Sequence, residues 1–311
     1  MRAAVTTQNR PTVVSRPARL NLQPYVWIAP AVLVFGIFIL LPVAVGLILS
    51  CTDWNGTQVP VFNGITNYVA ALNDGTYWSA IVHNLIYAAG TVVGKIVLGL
   101  GLALVMNRTL PGRTIFRTAL FMPVMLSFVA IGLLWSWIYN YDFGLLNGML
   151  GTIGLGQLKQ DWLGSPGLAL YALIVVDIWK WFGLHMVLFL AGLQNIPLQL
   201  YEAARIDGAS SWQSFFRITL PLMLPVFAFN IVLAASRAFN VFDLVYVMTQ
   251  GGPVDATNVA MTNIYREAFQ FYHFGYSSAL SVVQLIIVTI VSFGILALLG
   301  RRGNVSGEEL A

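Results

Sequence analysis

The sequence predicts an all-α integral membrane protein of six transmembrane helices with both termini in the cytoplasm. Three observations carry that expectation. Of 311 residues, 58% are hydrophobic and 9% charged, where a soluble domain has roughly a quarter charged. Too few polar groups remain to cover a water-facing surface, so lipid must surround most of the chain. Six runs reach the roughly 20 apolar residues that a helix needs to cross the hydrocarbon core. Lysine and arginine fall on alternate connections between those runs, the pattern that cytoplasmic retention of positive charge produces.

Residues 1–24 contain Arg2, Arg10, Arg16 and Arg19 and read as a disordered cytoplasmic tail. The first run, Tyr25 to Leu49, carries no charge. A basic segment before an apolar stretch ending Ile48-Leu49-Ser50-Cys51 suggests a cleaved signal, but the stretch far exceeds a signal core of about 7–15 residues, and retention is expected. Cys51 is the only cysteine, which excludes an intramolecular disulfide framework and a cysteine-rich metal site. The second run, Ile81 to Val105, contains Gly90, Gly94, Gly99 and Gly101. The Gly90-x-x-x-Gly94 spacing lets another backbone approach closely, within this subunit or across a subunit contact.

The third run, Thr118 to Tyr139, has Trp135 and Trp137 near its outer end, read as interfacial anchors. The fourth spans Leu168 to Leu193, the fifth Leu220 to Met248 and the sixth Ser277 to Leu299, followed by a cytoplasmic tail over 301–311. Pro30, Pro42, Pro123, Pro221 and Pro225 lie in or beside these runs and predict bent, closely packed helices. Residues 25–300 thus form one six-helix domain. Beside the N-terminal arginines, Arg108, Arg113, Arg117, Arg205, Arg217, Arg301 and Arg302 fall on one side, against Lys159 and Arg266 on the other. The even span count is consistent with that split.

A net charge of +4 does not signal nucleic acid, because the basic residues sit at helix ends and form no stripe interleaved with aromatics. His83, His185 and His273 are too scattered to form a metal site.

Lys95, Asp177, Lys180, Arg237 and Asp243 lie in or near the spans. Each costs roughly 2.5–3.5 kcal/mol at mid-bilayer and should face a cavity or a partner. Asp177 and Lys180 share a helical face and can pair with each other; alternatively Asp177 reaches Lys95 at similar depth. One reading has Lys95, Trp179, Lys180 and Trp181 lining a solute pathway, with Arg237 and Asp243 at its outer mouth. The other has the charges stapling helices and the aromatics filling core.

The connection between the fourth and fifth runs, 195–217, begins Asn195-Ile-Pro197 and continues Tyr201-Glu202-Ala203-Ala204-Arg205-Ile206-Asp207-Gly208-Ala209-Ser210. Asn195 and Pro197 suit a helix start, Gly208 a left-handed stop, and Ser210 or Ser211 the cap of a second short helix. Leu198, Tyr201 and Ala204 to Arg205 make the first helix amphipathic at the membrane surface. Glu202-Ala203-Ala204, then Gly208, then Ile218-x-Leu220-Pro221 at set spacing resembles the EAA loop of the membrane subunits of binding-protein-dependent ABC importers. Gly251-Gly252-Pro253, Asn84-x-x-Tyr87 and Phe274-Gly275-Tyr276 to Ala279 extend the likeness to the carbohydrate-uptake branch of the maltose and glycerol-3-phosphate type, over most of the chain. The Gly-Gly-Pro element suits the maltose first-subunit type, whose large extra external domain this chain lacks.

The resemblance implies the six-helix permease fold of type I ABC importers and a role in sugar uptake, or in uptake of glycerol-3-phosphate or another polyol phosphate. It implies that Glu202, Ala203, Ala204, Asp207, Gly208 and Ala209 couple the permease to a cytoplasmic ATPase. The implied partners are two ATPase subunits, a second homologous permease, an external solute-binding protein and membrane lipid, in a bacterial inner membrane. This chain has no Gly-rich phosphate loop of the G-x-x-x-x-G-K-S/T form, so it is expected to bind no cofactor and to catalyse nothing, with ATP and magnesium held by the partners. A membrane-embedded enzyme would want a carboxylate pair or histidine cluster at one depth, and a gradient-driven transporter paired repeats with broken helices. The sequence displays neither.

Overall fold

The computed structural model describes residues 23–108 and 111–308; of the tail predicted over 1–24, residues 1–22 lie outside them, and Gln23 and Pro24 open the first helix. The chain divides into two compact units, Met1–Val45 and Gly46–Ala311. Four continuous helices are long and apolar enough to cross a bilayer: Trp27–Leu49, Gly75–Met106, Pro166–Gln194 and Phe274–Ala297. These are the first, second, fourth and sixth spans. Two bent pairs, Arg113–Met125 with Phe128–Ile138 and Ser211–Leu222 with Leu224–Phe239, complete six when each pair counts as one span. The sixth helix continues to Glu308, so helical backbone extends past Leu299 into the segment expected to be a tail.

The third and fifth spans are therefore not the single helices that hydropathy suggests. The third turns by 99° at Leu126 and Ser127, both extended. Ser127 starts the second half by accepting a hydrogen bond from the Ala130 amide at 3.2 Å, an N-cap that works only after a chain break. The fifth bends by 66° at Met223, and Leu224–Phe239 is 16 residues, about 24 Å of helix. It stops short of a crossing, and Asn240–Phe242 separates it from a further short helix, Asp243–Met248.

Two π-turns mark places where proline interrupts the ladder. Leu41 donates to the Gly36 carbonyl and Leu220 to the Phe215 carbonyl. Each stands immediately before a proline, Pro42 or Pro221, that cannot donate to the carbonyl four residues back. A wider turn accommodates the missing bond and the ring.

Within Gly46–Ala311, the second and fourth spans pack closely. A Cβ on Gly90 would sit 3.1 Å from Ile174, one on Gly94 would collide with Ile178, and one on Gly99 would stand 2.8 Å from the His185 Cβ and 3.1 Å from its backbone. The small-residue stripe thus serves an intrasubunit helix contact. Gly99 faces backbone, which cannot rotate aside. Gly99→Val is expected to lower stability by about 1–3 kcal/mol, read as an earlier thermal melt of the purified protein, whereas Gly101→Ala, with nothing within 4 Å of its Cβ, should melt like the parent.

Candidate functional site

Lys180 lies at the middle of the 29-residue fourth span, the depth where an unsatisfied charge is costly. Its ammonium donates at 2.5 Å to the Leu126 carbonyl, freed where the third span breaks, and at 3.4 Å to the Pro123 carbonyl, which also accepts from the Leu126 amide at 3.3 Å. A cation there also meets the negative end of the helix dipole. Lys180 is therefore not paired with Asp177, the first of the two pairings that sequence spacing allowed. Asp177 reaches Lys95 across the second–fourth span contact, at 2.5 Å, with side-chain exposures of 6% and 1%. Lys95 and Asp177 are thus neutralised by each other.

The break after Phe239 is closed in a similar way. Asn84, from the second span, donates to the Ala238 carbonyl at 3.0 Å, and Gln284, from the sixth, donates to the Phe239 carbonyl at 2.8 Å. Helix-end carbonyls that water cannot reach are satisfied by amides from continuous spans. Sequence reasoning missed Gln284 and the capping role of Asn84; their signal is a lone amide inside an apolar run.

Arg237, three residues before that break, lays its guanidinium on Trp181, Cζ to ring centroid 4.0 Å. Lys180 Nζ is 5.1 Å from the same ring and 4.6 Å from Phe128. The structure thus brings Lys180, Trp181 and Arg237 together, with Phe128 a further member that the sequence did not single out. Trp179 points elsewhere, edge-on to Trp135 at 5.5 Å. Trp135 is partly buried against a hydrophobic cluster, so of the two supposed interfacial anchors only Trp137, 69% exposed, stands free. Asp243, in the first turn of its short helix, is exposed and joins no ion pair among the described residues. His185 and Tyr87 are fully buried; His185 Nδ1 meets Asn230 Oδ1 at 2.8 Å.

From the fifth-span break an aromatic ladder runs through Phe242, Tyr246, Tyr265, Phe269, Phe274 and Trp54, with successive centroids 5.0–5.9 Å apart. Phe269 is more than half exposed, and the others in the ladder are partly so.

The loop between the fourth and fifth spans folds as its residues require. Leu198–Ile206 is helical after Pro197. It ends in a Schellman motif: Gly208 adopts φ +76°, its amide donates to Arg205 O at 3.1 Å, and Ala209 donates to Ala204 O at 2.9 Å. Ser210 then forms a capping box with Gln213. Tyr201 Oη meets Thr219 Oγ1 at 2.8 Å, and Tyr201 and Ile218 pack on the cluster of Leu193, Ile196 and Met223, fixing the helix to the base of the bundle. Glu202, Ala203, Asp207 and Gly208 are exposed, Ala204 and Ala209 half-buried. Leu198, Ile206, Trp212 and Phe216 are exposed around them at 53–87%, a concentration of apolar surface rare on a chain with no partner.

A family model described as "Binding-protein-dependent transport system inner membrane component" matches residues 95–304. The chain is 38% identical over 272 residues to the probable ABC transporter permease protein YurN of Bacillus subtilis (strain 168), covering 86% of this chain and 93% of that one. It is 36% identical over 278 residues to the trehalose/maltose transport system permease protein MalF of Thermococcus litoralis, covering 88% and 91%. In fold it resembles a chain of the bacterial alginate ABC transporter solved in complex with alginate pentasaccharide-bound periplasmic protein, at a TM-score of 0.79 and 24% identity, covering 91% and 96%. With four to six candidate membrane spans and relatives named as transport permeases, the chain is an integral membrane transport component. The chain belongs to the binding-protein-dependent transport system inner membrane component family, whose members include ABC importer permeases.

Proposed function

We propose that this chain is the permease subunit of an ATP-driven importer of a sugar or oligosaccharide in a bacterial inner membrane. It works with two ATPase subunits that hold ATP and magnesium, a second homologous permease and an external solute-binding protein. The helix Leu198–Ile206 carries this reading: it is stopped by the Gly208 turn, fixed to the bundle by Tyr201, and presents Glu202 among exposed apolar side chains. An exposed acid in an apolar rim suits a cationic cleft on an ATPase, and a rigid helix joined to the fifth span through Pro221 passes its displacement to the bundle. The names of the relatives support a carbohydrate solute, and the aromatic ladder offers flat apolar faces of the kind that pack against sugar rings.

Solubilised gently from its native membrane, a tagged chain should bring down an ATPase, and solute uptake by the same cells should stop when that ATPase is deleted. Uptake that persists without the ATPase sinks the proposal.

A further inference from the structure

Resting on the importer reading, we infer that Arg237, seated on Trp181 beside Lys180, is a subsite for a negatively charged group on a polyhydroxy solute, such as the carboxylate of a uronate or the phosphate of a phosphorylated polyol. Two cations share one indole, with Arg237 Cζ at 4.0 Å and Lys180 Nζ at 5.1 Å from its centroid. No carboxylate lies within ion-pair distance of either among the described residues. The other buried cation, Lys95, has Asp177 to itself, so the local excess of positive charge is not cancelled from the second span.

The two members of the pair are built differently. Lys180 is 2% exposed and is spent on the Pro123 and Leu126 carbonyls; it sets the potential without being free to bind. Arg237 is exposed and donates no hydrogen bond among the described residues, so its fork of N–H groups stands open. One face of the guanidinium rests on Trp181, which fixes its plane and leaves its edge to meet an anion in two parallel bonds. An open arginine at this depth is not accommodated by lipid; it faces water, solute or a partner. Phe242, where the aromatic ladder begins, lies five residues on in sequence, so rings and charge lie toward the same end of the fifth-span break.

The test uses the purified complex, with whatever subunits accompany the full chain, in nanodiscs of zwitterionic lipid and without the external binding protein. Thermal protection is titrated with glucuronate against glucose and with glycerol 3-phosphate against glycerol. At least one anion should reach half-protection at roughly tenfold lower concentration than its neutral counterpart, the effect expected of one added charge-assisted contact. The two arms tell carboxylate from phosphate. Arg237→Gln should bring anion and neutral curves together, and Arg237→Lys should keep part of the gap, with melting without ligand reporting the fold. Equal curves for both pairs, a preference that survives Arg237→Gln, or no protection at all, as when a partner subunit's carboxylate occupies the arginine, each overturn the inference. Absence of an ATPase from the complex would instead overturn the importer reading.

Discussion

Asp177→Ala should destabilise the protein more than any other single side-chain truncation in the bundle. Lys95 is 1% exposed and meets Asp177 at 2.5 Å; without the carboxylate it is an uncompensated charge between two spans. Breaking one side of a buried pair costs about 3–5 kcal/mol, enough to deplete the folded population of a marginally stable protein. The expected readouts are a sharp fall in membrane abundance and a much earlier melt of what remains. The double variant Lys95→Met/Asp177→Leu, which removes both charges and keeps the volume, should recover most of the loss, since well-packed apolar residues commonly replace such pairs without penalty. A single variant that melts with the parent would show that the pair does not hold the second span to the fourth.

The second large effect falls on function and leaves the fold in place. Gly208→Val puts a β-branched residue at φ +76°. There is open space for the side chain, with nothing within 4 Å of a Cβ, but the backbone conformation itself is strained by about 1–3 kcal/mol. The Schellman turn should open and the helix Leu198–Ile206 lose its fixed end, while the spans, which do not touch Gly208, keep their melt. Glu202→Lys reverses the one acidic group on the exposed face of that helix. Both variants should insert normally, and transport should fall at least about tenfold, as expected when a charge-assisted contact is lost, while ATP hydrolysis by the partner continues or is no longer stimulated by solute. Normal transport by both would remove the coupling role from this loop.

Much of this architecture could be read from the chain before any coordinates. The number and order of spans follow from apolar length, because lipid enforces it on every crossing. The loop after the fourth span was legible in its Gly208 stop and Ser210 cap, which act through their own backbones and near neighbours, but Asn195 closes the fourth span and the next helix starts after Pro197 without a side-chain cap. Breaks in the third and fifth spans were not, because hydropathy averages over a window and Leu126 is as apolar as any helical neighbour. A finer signal was present in Ser127, a good N-cap two residues past a helix end and four past Pro123. The partner of Asp177 was left open for a related reason: spacing of three puts Lys180 on its face, but Lys180 has the bare Leu126 carbonyl to satisfy, and its position depends on how another span bends. Arg237 and Trp181 met for the same cause, being 56 positions apart in the chain with nothing local to join them.

The Lys180 contacts bear on how the chain enters the bilayer during synthesis. The first half of the third span ends at the Leu126 carbonyl, whose donor is encoded more than fifty residues downstream. Until the ribosome has delivered that lysine, the unfinished hairpin holds a bare acceptor that hydrocarbon would penalise by several kcal/mol. Partition of this segment from the translocon is thereby favoured only as a unit with its successor, and a nascent chain truncated before residue 180 should remain at the headgroups, accessible to water-soluble reagents.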